Sequence, residues 1–443
     1  MSLPAVTPRI YSSDEIQYFA FLRSAWFDRD LSFENEYRYF YDHGIARSEG
    51  FHETFLERQT ATGRRLNFGT IGCAVLWSPF YAVGDVVARA SGAPRDGFST
   101  PYIASIAYGS VFYAFLALVL AIRCAGRLEL DGFAAAVAVW LGTPLLFYMY
   151  IAPPFSHACS AFAVALFTYV WLRVRGSWSA RGMIALGAAG ALMAMTREQD
   201  AFFVFGPAVD FVWASLDGDQ RSEAGGPSRL IAAAMGCVAF GLVFLPQAAT
   251  YLVLNGHLGP DASVAHKMSW TAPHALQVLA SPGHGFFVWT PLALLALLAL
   301  AWKGLTREMD RQVALCLLLM AALQVYIGGS VESWTVAGGY GQRRFVALTT
   351  VMVIGLSSVR TGVQDRASGR LGARAVFTAA LVLCVYWNMA LIAEFATGLM
   401  DRQRLEPKKN AYDAFVTLPR MAPSLVYRYL FERSSFYQGP HGS

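Results

Sequence analysis

Long apolar runs separated by short polar loops form the main pattern of this chain. A transmembrane helix needs about 20 apolar residues, and tilted or broken helices accommodate the shorter runs. The pattern therefore predicts an all-α polytopic membrane protein with ten spans. They lie at 102–122, 133–150, 158–172, 183–196, 201–215, 230–254, 286–302, 313–328, 345–358 and 375–397.

An eleventh apolar segment, 69–88, has two interpretations. Its sequence GTIGCAVLWSPFYAVGDVVA is long enough to cross a membrane, yet it contains three glycines, Pro79 and Asp85. If it crosses, the bundle has eleven spans. If it lies along the membrane, the preceding segment 1–68 is external. Both interpretations remain open at this point.

Composition agrees with a membrane protein. Of 443 residues, 55% are hydrophobic and 15% are charged, whereas soluble domains carry about 25% charged residues. The mean hydropathy is +0.40. The net charge of the chain is +5. In a membrane protein, an excess of lysine and arginine usually lies in the loops and sets the topology. This charge therefore does not indicate nucleic-acid binding.

Lysine and arginine counts in the short loops predict the orientation. Cytoplasmic loops of membrane proteins carry the excess of these residues. One alternating set of loops holds fourteen of them and the other holds four. The first set is predicted to be cytoplasmic and the second external. The cytoplasmic set is 123–132, 173–182, 216–229, 303–312 and 359–374; the external set is 151–157, 197–200, 255–285 and 329–344.

Two adjacent arginines in the last external loop are candidates for binding an anion. Arg343 and Arg344 follow a glycine-rich turn, where backbone N–H groups and guanidinium donors can converge on a phosphate. They could instead be anchors at the start of a helix. Positive residues are scarce on the external side, which favours the anion site.

Two adjacent carboxylates near the N-terminus are candidates for catalysis. Asp14 and Glu15 follow Ser12 at the start of a predicted amphipathic helix. Ser12 and Glu15 also have the spacing of a capping box, and acids in a first turn complement the helix dipole. The pair can therefore be ordinary helix-start residues or polar groups that act on a substrate.

The order of these motifs resembles the GT-C superfamily of polytopic glycosyltransferases, in particular its bacterial RgtA/protein O-mannosyltransferase-like members. Asp14-Glu15 followed by Tyr18 resembles the acidic pair of that superfamily's first external loop. The segment 69–88 is similar to a juxtamembrane stretch of that loop. Three further stretches resemble such proteins: Phe155-Ser156-His157-Ala158, GHGFFVWTPL at 283–292 and AGGYGQRRF at 337–345.

The resemblance implies a reaction and roles for particular residues. It implies transfer of a sugar from a polyprenyl-phosphate donor to a hydroxyl of a glycan, lipid or protein, with inversion. Asp14 would be the general base and Glu15 a supporting acid. Arg343 and Arg344 would hold the donor phosphate, with Arg197 and His157 as further candidates. Tyr18, Glu332, Trp334 and Tyr340 would contact substrate. No cofactor is expected; a divalent cation, typical of pyrophosphate donors, is the less favoured scheme.

The resemblance also implies a domain organisation and a location. Residues 1–101 would form an external catalytic loop with juxtamembrane helices, 102–397 the transmembrane domain, and 398–443 an external tail. Members of the superfamily begin with a transmembrane helix, so we expect one upstream of residue 1. The location implied is the bacterial inner membrane, with the site facing the periplasm.

Two other classes of function fit parts of the sequence. Buried arginine, histidine and acidic residues could line the path of a transporter or lipid-moving protein, although no pair of matching halves is visible. The aromatic residues around 37–41 could bind carbohydrate without catalysis, although packing accounts for aromatics more often.

Overall fold

The computed structural model describes residues 5–216, 228–336, 338–365, 371–432 and 435, and within these ranges it contains helices and two isolated β-bridges. Ala337, the first residue of the 337–345 motif, lies outside the described residues. The first ten α-helices are α1 Ser13–Arg23, α2 Glu34–Asp42, α3 Glu49–Phe51, α4 Gly72–Ser91, α5 Thr100–Arg127, α6 Phe133–Gly142, α7 Leu145–Tyr150, α8 His157–Val174, α9 Ala180–Thr196 and α10 Phe205–Leu216. The second ten are α11 Arg229–Asn255, α12 Ala262–His266, α13 Ala275–Ala280, α14 Phe286–Trp289, α15 Pro291–Leu305, α16 Arg311–Ser330, α17 Thr349–Asp365, α18 Leu371–Thr397, α19 Pro407–Tyr412 and α20 Leu418–Phe431.

The prediction of a helical membrane protein is confirmed at this level. Among the described residues, five helices are long and apolar enough to cross a membrane: α5, α8, α11, α16 and the 375–397 part of α18. Helices α6, α9 and α15 are apolar but shorter. Helical structure lies over every predicted span, but several spans are broken. The run 133–150, for example, is divided between α6 and α7 at Thr143 and Pro144. The count of ten or eleven spans stays a prediction.

The segment 69–88 forms one continuous helix, α4, despite Pro79 in its interior. It packs against α5 and α1 and is not among the five long apolar helices. Asp85 in its last turns is buried, accepts a hydrogen bond from Tyr102 Oη at 2.6 Å, and is paired with Arg89 and Arg95. The buried carboxylate near the end of this helix is therefore paired with two arginines that are more than half exposed.

Glycine allows the closest contact between helices in the bundle. A Cβ atom on Gly187 of α9 would lie 2.0 Å from the carbonyl oxygen of Gly236 in α11. Such a separation is far below van der Waals contact, so any side chain at Gly187 would push the two helices apart. These small residues explain why α9 and α11 pack over a long part of their length.

The segment 1–68, the predicted external loops and the C-terminal segment contact one another at one end of the bundle. Hydrogen bonds connect residues that are far apart in sequence, which fixes these segments as one surface layer. They join Thr7 N to Tyr150 O, Thr62 Oγ1 to Leu254 O, Ser269 N to Ser330 O and Leu405 N to Pro282 O, at 2.6–2.8 Å.

The predicted cytoplasmic loops meet at another place. Arg175 donates to Asp310 at 2.7 Å and to Asp210 at 3.0 Å, and Trp171 Nε1 donates to Asp210 at 2.8 Å. This network joins the ends of α8, α10 and α16. Loops 173–182 and 303–312 of the predicted cytoplasmic set are therefore joined by a polar contact; residues 217–227 of loop 216–229 lie outside the described residues.

We predict that chemical labelling will find these two layers on opposite sides of the membrane. Cysteines introduced by Asp42→Cys and Trp270→Cys should react with an impermeant maleimide from outside, and Arg307→Cys only after the membrane is opened. All three positions are exposed. Cys237, the exposed one of the six cysteines, is replaced by Ser in every variant. Labelling of positions 42 and 270 from different sides would contradict a shared external layer. Loop 359–374 lies partly outside the described residues.

Candidate functional site

The start of α1 separates the two neighbouring carboxylates. Ser12 is the N-cap and, together with Glu15, forms a complete capping box. Glu15 Oε2 accepts hydrogen bonds from the backbone N–H groups of Tyr11 at 2.8 Å and Ser12 at 3.0 Å. Successive helical residues diverge by about 100°, so Asp14 points elsewhere and its side chain is 42% exposed. Glu15 therefore organises the helix start, and Asp14 is the carboxylate that a ligand can reach.

Burial changes the proton affinity of Glu15. Its side chain is fully buried, and Oε1 has no hydrogen-bond partner. Desolvation raises the pKa of Glu15 to about 8, although the N–H groups of Tyr11 and Ser12 favour the ionised form. At neutral pH the folded protein therefore holds this side chain mainly in its protonated form.

We predict that Glu15 makes stability fall as the pH rises. The unfolded group ionises near 4.5 and the folded one near 8, so between these values the unfolded state loses its proton first and is favoured. The wild type should lose up to about 1.4 kcal/mol per pH unit relative to Glu15→Gln in this window. Thermal unfolding in detergent from pH 5 to pH 9 measures this difference. Parallel curves for the two proteins would exclude a buried protonated Glu15.

Asp14 is ion-paired with the first of the two predicted arginines. Arg343 Nη2 lies 2.9 Å from Asp14 Oδ2, and the Arg343 side chain is 20% exposed. The Arg343 guanidinium also lies over the ring of Phe155, with its Cζ 5.1 Å from the ring centroid. This cation–π contact and the ion pair orient one guanidinium at the boundary between α1 and the external loops.

The second predicted arginine, Arg344, is bound by residues of the helix and loop that precede it. Arg344 donates to Ser333 Oγ at 3.1 Å and to the carbonyl oxygen of Gly328 at 3.4 Å. Burial and the positive charges of Arg197 and Arg343 lower the pKa of Arg344 to about 9. A guanidinium whose proton affinity is reduced by two others lies in a region of excess positive charge.

Arg197 and His157 form a direct contact within the same region. Arg197 Nη1 donates to His157 Nδ1 at 2.5 Å, and Arg197 Nη2 donates to Gln199 Oε1 at 3.1 Å. Because arginine can only donate, Nδ1 of His157 is the acceptor and carries no proton. His157 is buried, so it extends the site as a neutral imidazole.

We call Asp14, His157, Arg197, Arg343 and Arg344 the arginine cluster. The positive charges of Arg197 and Arg343 act electrostatically on Arg344, and those of all three arginines act on His157. Asp14 is the carboxylate in direct contact with one of these guanidiniums, that of Arg343. A second carboxylate, Asp200, is buried nearby and is bound by Ser160 Oγ at 2.6 Å. The cluster is thus positive overall, which suits an anionic ligand with several oxygen acceptors.

Tyr18 lies beside the cluster, and its role in binding substrate stays a prediction. Its hydroxyl lies close to Ser156 and close enough to Arg197 and Asp14 to be affected by their charges, while burial raises its pKa. It is one turn along α1 from Asp14. Asp14 and Tyr18 therefore share one face of the helix, and that face is directed at the cluster.

The other three predicted substrate contacts lie at a distance from the carboxylate. Tyr340 is buried in the core, where its hydroxyl donates to Asn388 Oδ1 at 2.9 Å and its ring stacks on Phe147. Trp334 stacks on His274, and Glu332 is exposed. Trp334 and Glu332 flank Ser333, the residue that binds Arg344.

Sequence reasoning missed three contributors to the cluster. Phe155 belongs to the motif at 155–158, yet no sequence pattern indicated that its ring would lie beneath the guanidinium of Arg343. Ser333 lies between two predicted residues, but serine in a loop carries no specific signal. Tyr148 is in van der Waals range of both Phe155 and His157, and it lies inside an apolar run where no pattern distinguishes it.

The cluster is poor in metal ligands. In the part of the chain that the structure describes, no three His, Cys, Asp or Glu side chains are placed to hold a metal ion. The expectation of a reaction without cofactor stays a prediction. Comparison with known proteins adds no relative: no family model matches the chain, and no curated protein matches it.

Proposed function

We propose that this protein is a membrane glycosyltransferase that transfers a sugar from a polyprenyl-phosphate donor to an acceptor hydroxyl. One observation carries the proposal. Asp14, a carboxylate with 42% of its side chain exposed, is held 2.9 Å from Arg343 in a cluster with two further guanidiniums. Glycosyl transfer from a phosphate needs this combination, a base for the acceptor and positive charge for the leaving group.

The proposed reaction is a single displacement with inversion. The acceptor oxygen attacks the anomeric carbon, a new glycosidic C–O bond forms, and the C–O bond to the phosphate breaks. Asp14 takes the proton of the acceptor hydroxyl. The departing polyprenyl phosphate keeps the bonding electrons and is stabilised by Arg343 and Arg344, with Arg197 as a third donor.

In the proposed reaction, Asp14 and Arg343 would exchange partners when the donor binds. In the ligand-free protein each group neutralises the other. A donor phosphate, a diester whose single negative charge is shared by two oxygens, offers Arg343 a second acceptor, and a guanidinium binds phosphate in a bidentate geometry. Arg343 then contacts the phosphate, and Asp14 is left to the acceptor hydroxyl. Glu15 supports this arrangement by fixing the first turn of α1.

The position of the cluster suits a donor with a lipid tail. His157 begins α8, one of the five long apolar helices, and Arg344 is bound by the carbonyl group of Gly328 near the end of α16, another of them. A phosphate in the cluster would therefore lie where two candidate membrane spans end, and the polyprenyl chain of the donor would extend from there into the bilayer. We propose the bacterial inner membrane as its location, with the cluster on the periplasmic side.

Transfer activity can be tested directly. Purified protein in vesicles is incubated with a panel of radiolabelled polyprenyl-phosphate hexoses and pentoses and with an extract of envelope lipids and glycans as acceptor. We expect label to move from the lipid donor to the acceptor with the wild type and not with Asp14→Ala. Movement of label across the vesicle membrane without a new glycosidic bond would instead support a transporter.

A further inference from the structure

The segment after the last span folds into a nearly continuous helix. Helix α19, a π-helical turn at Asp413–Thr417 and α20 follow one another without a break from Pro407 to Phe431. The beginning of this segment is docked: Ala414 and Leu418 are buried against Ala390 of α18. Tyr386 Oη of α18 also donates to the carbonyl group of Ala414. The start of α20 is thus fixed beside the outer half of a predicted membrane span.

Beyond Leu418, the side chains of α20 divide into opposite faces. Arg420, Ser424 and Arg428 recur every four residues and form a polar stripe. Val426 and Leu430 lie roughly on the other side of the helix, because each residue advances the helix by about 100°. These two side chains are 58% and 64% exposed.

Two tyrosines flank this exposed face on either side. Tyr427 is 55% exposed and Tyr429 45%, whereas Phe431, also exposed, lies on the side of the polar stripe. Soluble proteins rarely leave such a contiguous patch uncovered. Tyrosines beside aliphatic residues, with arginines on the opposite face, are typical of helices that lie at the surface of a membrane.

The course of α20 fits the membrane surface and not a further crossing. It starts against α18, and Tyr429 near its end lies close enough to Tyr150, at the end of α7, to act on it electrostatically. The residue after Tyr150 begins a predicted external loop, so α20 runs between the outer ends of two different elements. The exposed face of α18 itself carries Val382 and Met389, so the helix on which α20 is docked also presents large apolar side chains outward.

We propose that α20 lies in the membrane–water interface and binds the phospholipid bilayer through Val426, Leu430 and the neighbouring tyrosines. The apolar side chains enter the region between headgroups and acyl chains. Arg420 and Ser424 face the headgroups and water. The helix closes the outer side of the bundle next to α7 and α18. This inference is independent of the proposed function, because it uses no residue of the arginine cluster.

Photocrosslinking in vesicles tests the proposal with the full-length protein. Benzoylphenylalanine replaces Val426 in one variant and Ser424, on the polar stripe, in the matched control. A third variant carries it at Val382 of α18 as a lipid-facing reference. Each protein is purified, checked for a single species by size exclusion, and placed in vesicles of phosphatidylethanolamine and phosphatidylglycerol. Mass spectrometry then measures phospholipid adducts after illumination.

We expect Val426→benzoylphenylalanine to give at least about fivefold more phospholipid adduct than Ser424→benzoylphenylalanine, approaching the yield at position 382. Equal low yields at 426 and 424 would mean that water covers this face, and the proposal would be wrong. A crosslink from position 426 to a second copy of the chain would also overturn it, because the occupant would then be a protein.

Discussion

Asp14→Asn should reduce turnover by at least about a hundredfold while donor binding is retained or strengthened. Asparagine keeps the shape of the side chain but cannot accept a proton at neutral pH, and a general base contributes roughly 10²–10⁴-fold to rate. The substitution also removes the charge that faces Arg343, which frees this guanidinium for a donor phosphate. Initial rates of sugar transfer and equilibrium binding of the polyprenyl-phosphate donor separate the two effects.

Glu15→Gln is the matched control for this experiment. It replaces the adjacent carboxylate by the corresponding amide, as Asp14→Asn does. Glu15, however, is buried, and its Oε2 accepts hydrogen bonds from backbone N–H groups at the helix start. Turnover should therefore stay within a small factor of the wild type. Near-wild-type turnover in both variants would mean that the carboxylate pair only starts a helix, and Asp14 would lose its assignment as the base.

Arg343→Lys should weaken donor binding by about tenfold or more, although it keeps the positive charge. Lysine is a point charge and cannot offer the two parallel donors with which a guanidinium binds phosphate. It also loses the planar contact with Phe155, which lies 5.1 Å beneath the guanidinium. Tenfold in affinity corresponds to about 1.4 kcal/mol. Titration of the wild type and the variant with a fluorescent polyprenyl-phosphate sugar measures the loss.

Two further variants make this result specific. Arg344→Lys tests the neighbouring donor, and the double variant should bind donor more weakly than either single one. Arg404→Lys changes an exposed arginine in the C-terminal segment, where it pairs with Asp401 and Glu406, and it should leave donor affinity unchanged. If the donor binds equally well to Arg343→Lys, Arg344→Lys and the double variant, both arginines are anchors and not phosphate ligands.

The periodicity of the sequence predicted helices more successfully than it predicted spans. Apolar runs mark helical segments because backbone groups in a membrane must be satisfied within the helix. The apolar run does not mark where 133–150 divides, although Pro144 is a local helix breaker that favours the extended conformation seen at Thr143. No sequence pattern indicated the partner for the carbonyl groups exposed at this break: Asn388 of α18 donates through Nδ2 to the oxygens of Leu141 and Thr143. Asn388 is 245 residues from Thr143.

Some features of the candidate site were likewise predictable from the sequence, and others were not. Residue types and the cation count placed His157, Arg197, Arg343 and Arg344 on one side of the membrane, and the resemblance added Asp14; the structure brings these five residues together. Tyr340 was predicted from the same loop and the same chemistry, yet the structure buries it against Phe147 and Asn388. A tyrosine can serve a core or a site, and only its surroundings decide which.

The sequence by itself determined the class of protein, the helical segments and the set of charged residues available for chemistry. Each of these depends on local properties: hydropathy, helical periodicity and the cost of burying charge. Only the tertiary structure decided that Asp14 meets Arg343, that Glu15 is buried at a helix start, and that Arg344 shares its surroundings with Arg197. Those relations join residues as many as 329 positions apart, and they arise from packing between helices, which no local pattern in the chain encodes.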